Sequence, residues 1–92
     1  MREAREKNIY LADAEDHFME LEQQNVRNAV IEQYVRVRKS QGLTQAELAK
    51  RAGIPRTNIT RFESGSYNPS LEMMVKIAAA LKMRVEFQLV RK

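Results

Sequence analysis

Arg56, Thr57, Asn58, Thr60 and Arg61 stand close together in the segment RTNITRFE. If that segment is helical, Ile59 and Phe62 fall on one side, and Arg56, Thr57, Thr60 and Arg61 share the other, solvent side. A guanidinium offers two parallel donors that match the O6 and N7 acceptors of a guanine edge. A threonine offers a hydroxyl to a base or phosphate, or a methyl to thymine. The plainer roles for both arginines are phosphate contacts or solvated surface positions. For Asn58 a base and a phosphate are both within the chemistry of its amide.

Other chemistry is poorly supported by the chain. His17 is the only histidine, it lies among Asp13, Asp16 and Glu20, and no cysteine is present to complete a zinc set. A carboxylate-only magnesium site is conceivable there, but a solvated helix face explains the same residues. Ser40, Ser64, Ser66 and Ser70 have no histidine base plausibly beside them, and Gly65 alone does not make a phosphate-cradling loop. Neither catalysis, a metal nor a cofactor is expected.

The elements that must position the RTNITRFE segment can be read from spacing. Leu11, Ala14, Phe18 and Leu21 recur at helical intervals, with acidic residues between them. Asn25 either caps a second helix or sits inside a continuous one, and Val26, Val30, Tyr34 and Val37 extend the apolar stripe until Gly42 stops it. Thr44 and Glu47 form a Thr-x-x-Glu capping box that opens a short helix. Gly53 ends it after about two turns. Pro55 suits the first turn of the following helix, Arg56 to about Glu63, since it has no amide proton to leave unpaired. Ser66 to Pro69 is a polar loop. Ser70 and Leu71 start a last helix whose spacing predicts Leu71, Met74, Val75, Ala78 and Leu81 as buried, with Ile77 at the flank. Beyond Met83 the period falls to two, with Val85, Phe87 and Leu89 alternating against Arg84, Glu86 and Gln88, which predicts a single strand.

The segment QAELAKRAGIPRTNITRF combines requirements that are independent of one another. Two short helices that cross steeply need a small residue at their approach, a glycine in the turn and a branched residue in the crevice. Ala49, Gly53 and Ile59 fill those places, with Leu48, Ala52, Ile54 and Phe62 as shared core. On LTQAELAKRAGI, NITRFESG and PSLEMMVKIAAAL, the chain from about Val30 to Leu81 resembles the Cro and repressor (XRE) family of helix-turn-helix DNA-binding domains. The resemblance implies a mainly α, lambda-repressor-like bundle of four or five helices whose second motif helix enters the major groove. It places Arg56, Thr57 and Arg61 at base-reading positions, Gln45 at the phosphate backbone, and Arg38 with Glu63 as a structural ion pair. Pro55 departs from the Ser or Thr often found before that helix. Lys50, Arg51, Thr60, Tyr67 and Asn68 are the further candidates for backbone contact, Tyr67 and Asn68 serving otherwise to shape the loop.

Charge divides the 92 residues more informatively than the net of +4. Residues 1–24 carry three basic and seven acidic side chains, a net of −4, and the remainder carries thirteen against five, a net of +8. The basic part suits a polyanion and the acidic head a basic partner, although solvated helices carry charge for no further reason. The expected organisation is an acidic amphipathic helical extension at 1–27, a DNA-binding domain at 28–82 and a C-terminal strand at 83–92. A chain this short buries only roughly 60 to 65% of its unfolded surface, so self-association or a partner is a plausible supplement. The absence of cysteine and of a long apolar run suits a cytoplasmic protein with no membrane role.

A lone strand leaves its hydrogen-bonding edges open, so Val85, Phe87 and Leu89 are expected to pair with a second copy or with a partner's sheet. A homodimer would set two recognition helices roughly 34 Å apart on a palindromic operator. Taken with the acidic head, the pattern resembles antitoxins of the host-inhibition-of-growth (HigA) type. These neutralise a RelE/HigB-like mRNA endonuclease and repress their own operon. That resemblance makes Asp13, Asp16, Phe18, Glu20 and Leu21 candidate toxin contacts, unless Phe18 and Leu21 simply bury against Val26 and Val30. The alternatives are a stand-alone dimeric repressor and a protein-interaction module that does not bind DNA.

Overall fold

Between residues 2 and 40 the sequence contains neither glycine nor proline, and one helix, α1 (Arg2–Ser40), runs through all of it. The computed structural model describes the backbone of residues 2–92 and the side chains from residue 14 onward. Asn25 lies inside α1 and caps nothing. At 1.5 Å per residue the helix is about 58 Å long. It accounts for the 60 Å longest dimension of a molecule only 29 × 19 Å across.

Three shorter helices follow: α2 (Gln45–Ala52), α3 (Arg56–Ser64) and α4 (Leu71–Ala80). The capping box forms as its spacing requires: Glu47 N–H donates to Thr44 Oγ1 at 3.0 Å and Thr44 N–H to Glu47 Oε1 at 3.1 Å. Gly53 closes α2 in the left-handed conformation, at φ 68°. A Cβ there would meet nothing within 4 Å, so the backbone angle, and not crowding, demands glycine. Pro55 is the N-cap of α3, one position before its first turn, and contributes no side-chain cap. Ser70 caps α4 by accepting from Met73 N–H at 3.0 Å.

The core gathers Ile31 of α1, Leu43, Leu48 and Ala49 around α2, Ile59 and Phe62 of α3, and Ile77, Ala78 and Leu81 at the end of α4. Tyr34 sets its ring edge-on to Phe62, centroids 4.9 Å apart, and donates its hydroxyl to the Met74 carbonyl at 2.8 Å. Gln41 donates to the Leu81 carbonyl at 2.8 Å, so both residues tie α4 to the end of α1.

Three expectations need correction. In α4 Ile77 is fully buried, whereas Leu71 and Val75 are half exposed. LEMMVKIAAAL is apolar on nearly every side, and its spacing alone does not fix which side turns inward. In α1 the buried apolar position is Ile31, with Tyr34, Val35 and Val37 packed partly beside it, and Val26 is exposed. The third concerns fold class: no strand forms at 83–92, and the described residues are purely α-helical, a four-helix bundle. The alternation of Val85, Phe87 and Leu89 supplies the side-chain pattern of a strand, but a strand is a ladder of hydrogen bonds, and no second edge exists among the described residues. Instead Met83 to Gln88 run beside Val26, Val30, Tyr34 and Val37 across an open groove of about 390 Å³. No described helix is long and apolar enough to cross a membrane.

Candidate nucleic-acid interface

The motif corner is built from α2 and α3. Leu48, Ala49, Ile59 and Phe62 are buried at their contact, and Ala52 and Ile54 are partly covered. Because Ile59 and Phe62 point inward, Arg56, Thr57, Thr60 and Arg61 are all exposed, and Asn58 is half-buried. Lys50 and Arg51 are exposed in the last turn of α2. The face that α3 presents therefore carries two guanidiniums and two hydroxyls and, among its exposed positions up to Arg61, no carboxylate.

The face is held by a chain of polar contacts that crosses three helices. Arg38, buried at the end of α1, donates from Nε to Glu63 Oε2 at 2.7 Å, from Nη2 to Oε1 at 3.0 Å, and from Nη1 to the Leu43 carbonyl at 2.7 Å. Both side chains of this pair are about nine-tenths buried, so each charge depends on the other for its stability. Glu63 Oε1 also accepts from Gln45 Nε2 at 3.0 Å. Gln45 Oε1 in turn lies 3.0 Å from the Thr60 hydroxyl, which is 3.2 Å from the Arg56 carbonyl. Gln45 is thus fixed by structural bonds at the start of α2, and one of its two amide hydrogens takes no partner among the described residues. Thr60 is spent largely on the same network.

The loop after α3 is tied to both α3 and α1. Gly65 ends the helix at φ 71°, the angle that calls for glycine, and a Cβ there would also press on the Asn28 side chain, 3.2 Å from Oδ1, while meeting Ile31 Cδ1 at an ordinary 3.6 Å. Tyr67 is half-buried, with the Arg61 guanidinium 5.1 Å from its ring centroid. Asn68 accepts from Arg27 of α1. Sequence reasoning missed Arg27 and missed the packing of Tyr34. Arg27 had no signal, because its partner lies 41 positions away. Tyr34 did carry one, as a polar-tipped aromatic inside an apolar stripe that needs a partner for its hydroxyl.

At the other end of α1 the described side chains from Ala14 to Val26 are all exposed, Phe18, Met19 and Leu21 included. A straight helix does not fold Phe18 and Leu21 onto Val26 and Val30, so the local-core expectation fails. Asp16 and Glu20 share this exposed arm, and the side chain of Asp13 lies outside the described residues. No set of three or more His, Cys, Asp or Glu side chains able to hold a metal occurs among the described residues.

A family model described as helix-turn-helix matches residues 36–88. An uncharacterized helix-turn-helix-type transcriptional regulator of Archaeoglobus fulgidus is 47% identical over 49 residues, 53% of this chain and 70% of the relative. Antitoxin HipB of Escherichia coli O6:H1 is 43% identical over 47 residues, 51% of this chain and half of its own length. The chain spans less than two thirds of most of the curated relatives it matches. Among solved structures, a chain of a toxin-antitoxin module from Streptococcus pneumoniae shares the fold at a TM-score of 0.64 and 23% identity, over 79% of this chain and 80% of that one. With the buried motif corner, the exposed face of α3 and a family match over more than half its length, this chain belongs to the helix-turn-helix transcriptional regulators of XRE/Cro type, a non-catalytic class of DNA-binding domain.

Proposed function

We propose that the protein binds operator DNA as a dimer, with α3 of each copy in the major groove, and that it acts as the antitoxin of a toxin-antitoxin pair, neutralising a RelE/HigB-like mRNA endonuclease. The observation that carries the DNA reading is the sidedness of α3: Ile59 and Phe62 are sealed inside while Arg56, Thr57 and Arg61 project. In this reading those three address base edges. Lys50, Arg51, Asn58, Tyr67, Asn68 and the remaining amide hydrogen of Gln45 are available to phosphates. Binding would weaken steeply with salt as condensed ions return to the DNA.

The antitoxin reading is supported by the arm. It lies outside the residues that match the helix-turn-helix family, it carries the chain's acidic excess, and it exposes Phe18, Met19 and Leu21 beside Asp16 and Glu20. An acidic, partly apolar helix of this kind fits the basic, RNA-binding surface of a ribonuclease. The likeness to the Streptococcus pneumoniae module, at 79% of the chain, extends beyond residues 36–88. Exposed apolar side chains at Leu71, Val75, Phe87 and Leu89 supply surface for a dimer.

Two substitution sets separate the functions. Arg56→Ala with Arg61→Ala should cost specific operator affinity about 1 to 3 kcal/mol per lost bidentate contact, with the melting temperature unchanged. Asp16→Lys with Glu20→Lys should abolish copurification with a small basic protein encoded beside this gene, and its neutralisation, while operator affinity is kept. Unchanged operator affinity in the arginine variant refutes the docking mode. Neutralisation that survives charge reversal refutes the arm as the toxin contact.

A further inference from the structure

The face of α3 carries two arginines, and the structure treats them differently. Arg56 is exposed with no side-chain partner among the described residues, whereas the guanidinium of Arg61 lies over the ring of Tyr67, 5.1 Å from its centroid. We propose that Tyr67 is a positioning residue for Arg61, a platform that aims its guanidinium before DNA arrives. The inference rests on the reading of Arg61 as a base-contacting side chain and adds a residue that sets its selectivity.

The platform is itself held at both ends. On one side Gly65 lies near Asn28 and Ile31 of α1, which a Cβ at this position would meet at 3.2 and 3.6 Å. The Ser64 hydroxyl donates to the Arg61 carbonyl at 2.7 Å and takes the Ser66 N–H at 3.3 Å, so the turn leading to Tyr67 is stitched to the last turn of α3. On the other side Asn68 is gripped by Arg27. A ring so fixed offers its negative face to a cation, and a guanidinium can stack there while its edge, where the N–H donors lie, stays free. An arginine already stacked has less freedom to lose on binding, so more of each base contact appears as affinity. Only the base pair facing Arg61 should feel this. A phosphate contact by the Tyr67 hydroxyl would act equally on every sequence.

The test uses the full chain and a duplex selected by the wild-type protein from a random library, with every base pair then varied singly and affinity read by fluorescence anisotropy. Tyr67→Leu should lower discrimination by about two- to five-fold at the one position per half-site that Arg61→Ala also relaxes, and Tyr67→Phe should retain it. In the free protein, the Arg61 side-chain protons should lose their ring-current shift in Tyr67→Leu and keep it in Tyr67→Phe. Arg27→Ala should give a smaller loss at the same position. If Arg61→Ala relaxes a position that Tyr67→Leu leaves intact, or if Phe and Leu at 67 weaken all duplexes alike, the platform is overturned and the base reading stands. If Arg61→Ala alters no base preference, the reading of Arg61 fails and the inference with it.

Discussion

From Ile31 to Arg38, α1 buries an isoleucine and an arginine, packs a tyrosine edge-on to Phe62 and ties its end to α3 and α4. From Ala14 to Val26 the same helix exposes every side chain. Nothing in the backbone changes between the two stretches. They differ in what the sequence lays along the body: Ile31, Tyr34, Val35 and Arg38 recur at the intervals of one helix face, and each meets a partner on α3, α4 or the turn between α1 and α2. Between Ala14 and Val26, by contrast, Phe18, Met19 and Leu21 stay about half exposed. Helical continuity is therefore not evidence of a shared core, and the helix splits into a half packed in the body and a half whose side chains stay exposed.

The largest effect that could break this contrast is at the buried ion pair. Glu63→Ala leaves the Arg38 guanidinium buried with only the Leu43 carbonyl, and should cost about 3 to 5 kcal/mol. Phe18→Ala, a larger truncation by volume, should change stability by no more than about 0.5 kcal/mol. Urea unfolding followed by circular dichroism measures both. A Phe18→Ala loss approaching that of Glu63→Ala would mean that the arm is part of the body's core after all.

How far the sequence discloses these two halves depends on which residues speak locally. Thr44, Glu47 and Gly53 act within a few positions of themselves, and α2 and its boundaries follow from them directly. The sidedness of α3 follows from Ile59 and Phe62, three apart. By contrast α4 offers two apolar faces, and only the packed body chooses Ile77 over Leu71 and Val75. Residues 83–92 have the alternation of a strand without the second edge that would make it one. At the site, Arg38 and Glu63 are named together only through a family resemblance. The placing of Arg61 over the Tyr67 ring and the bond from Arg27 to Asn68 depend on the path of the loop after Gly65, which no local pattern encodes.

A smaller prediction concerns how the body closes its helices. Gly42, Gly53 and Gly65 take left-handed conformations after α1, α2 and α3, and after α4 the same conformation falls to Lys82, at φ 59°. There Lys82 N–H donates to the Ala79 carbonyl at 3.0 Å and Met83 N–H to the Ala78 carbonyl at 2.8 Å, the paired hydrogen bonds of a Schellman turn. A side chain in this conformation carries a cost of roughly 1 to 2 kcal/mol, part of which glycine recovers. Lys82→Gly should stabilise the body by about 1 kcal/mol and raise the melting temperature by about 4 to 8 °C. Partner affinity through the arm should not move. A fall in melting temperature would show that the lysine contributes more than its backbone angle costs.

The smallest effects are pH slopes, and both belong to the body. The Glu47 carboxyl is held below the ordinary carboxylate range first by the Thr44 N–H and then by the Thr44 hydroxyl, with the charge of Arg51 adding to them. A depressed acid stabilises the fold above its unfolded value, and that contribution is lost as pH falls through the folded value. The hydroxyl of Tyr34 shifts the other way, raised by burial. Its unfolded form ionises first, so stability is complete below the ordinary tyrosine value of about 10 and declines as pH rises above it. Melting curves across both ranges should show Glu47→Gln flattening the acid slope alone and Tyr34→Phe the alkaline slope alone, whatever each does to the plateau. The same two slopes should persist in Phe18→Ala. If truncating the arm altered either one, the two halves of α1 would be coupled through a contact absent from the isolated chain, and self-association through the arm would be the first place to look.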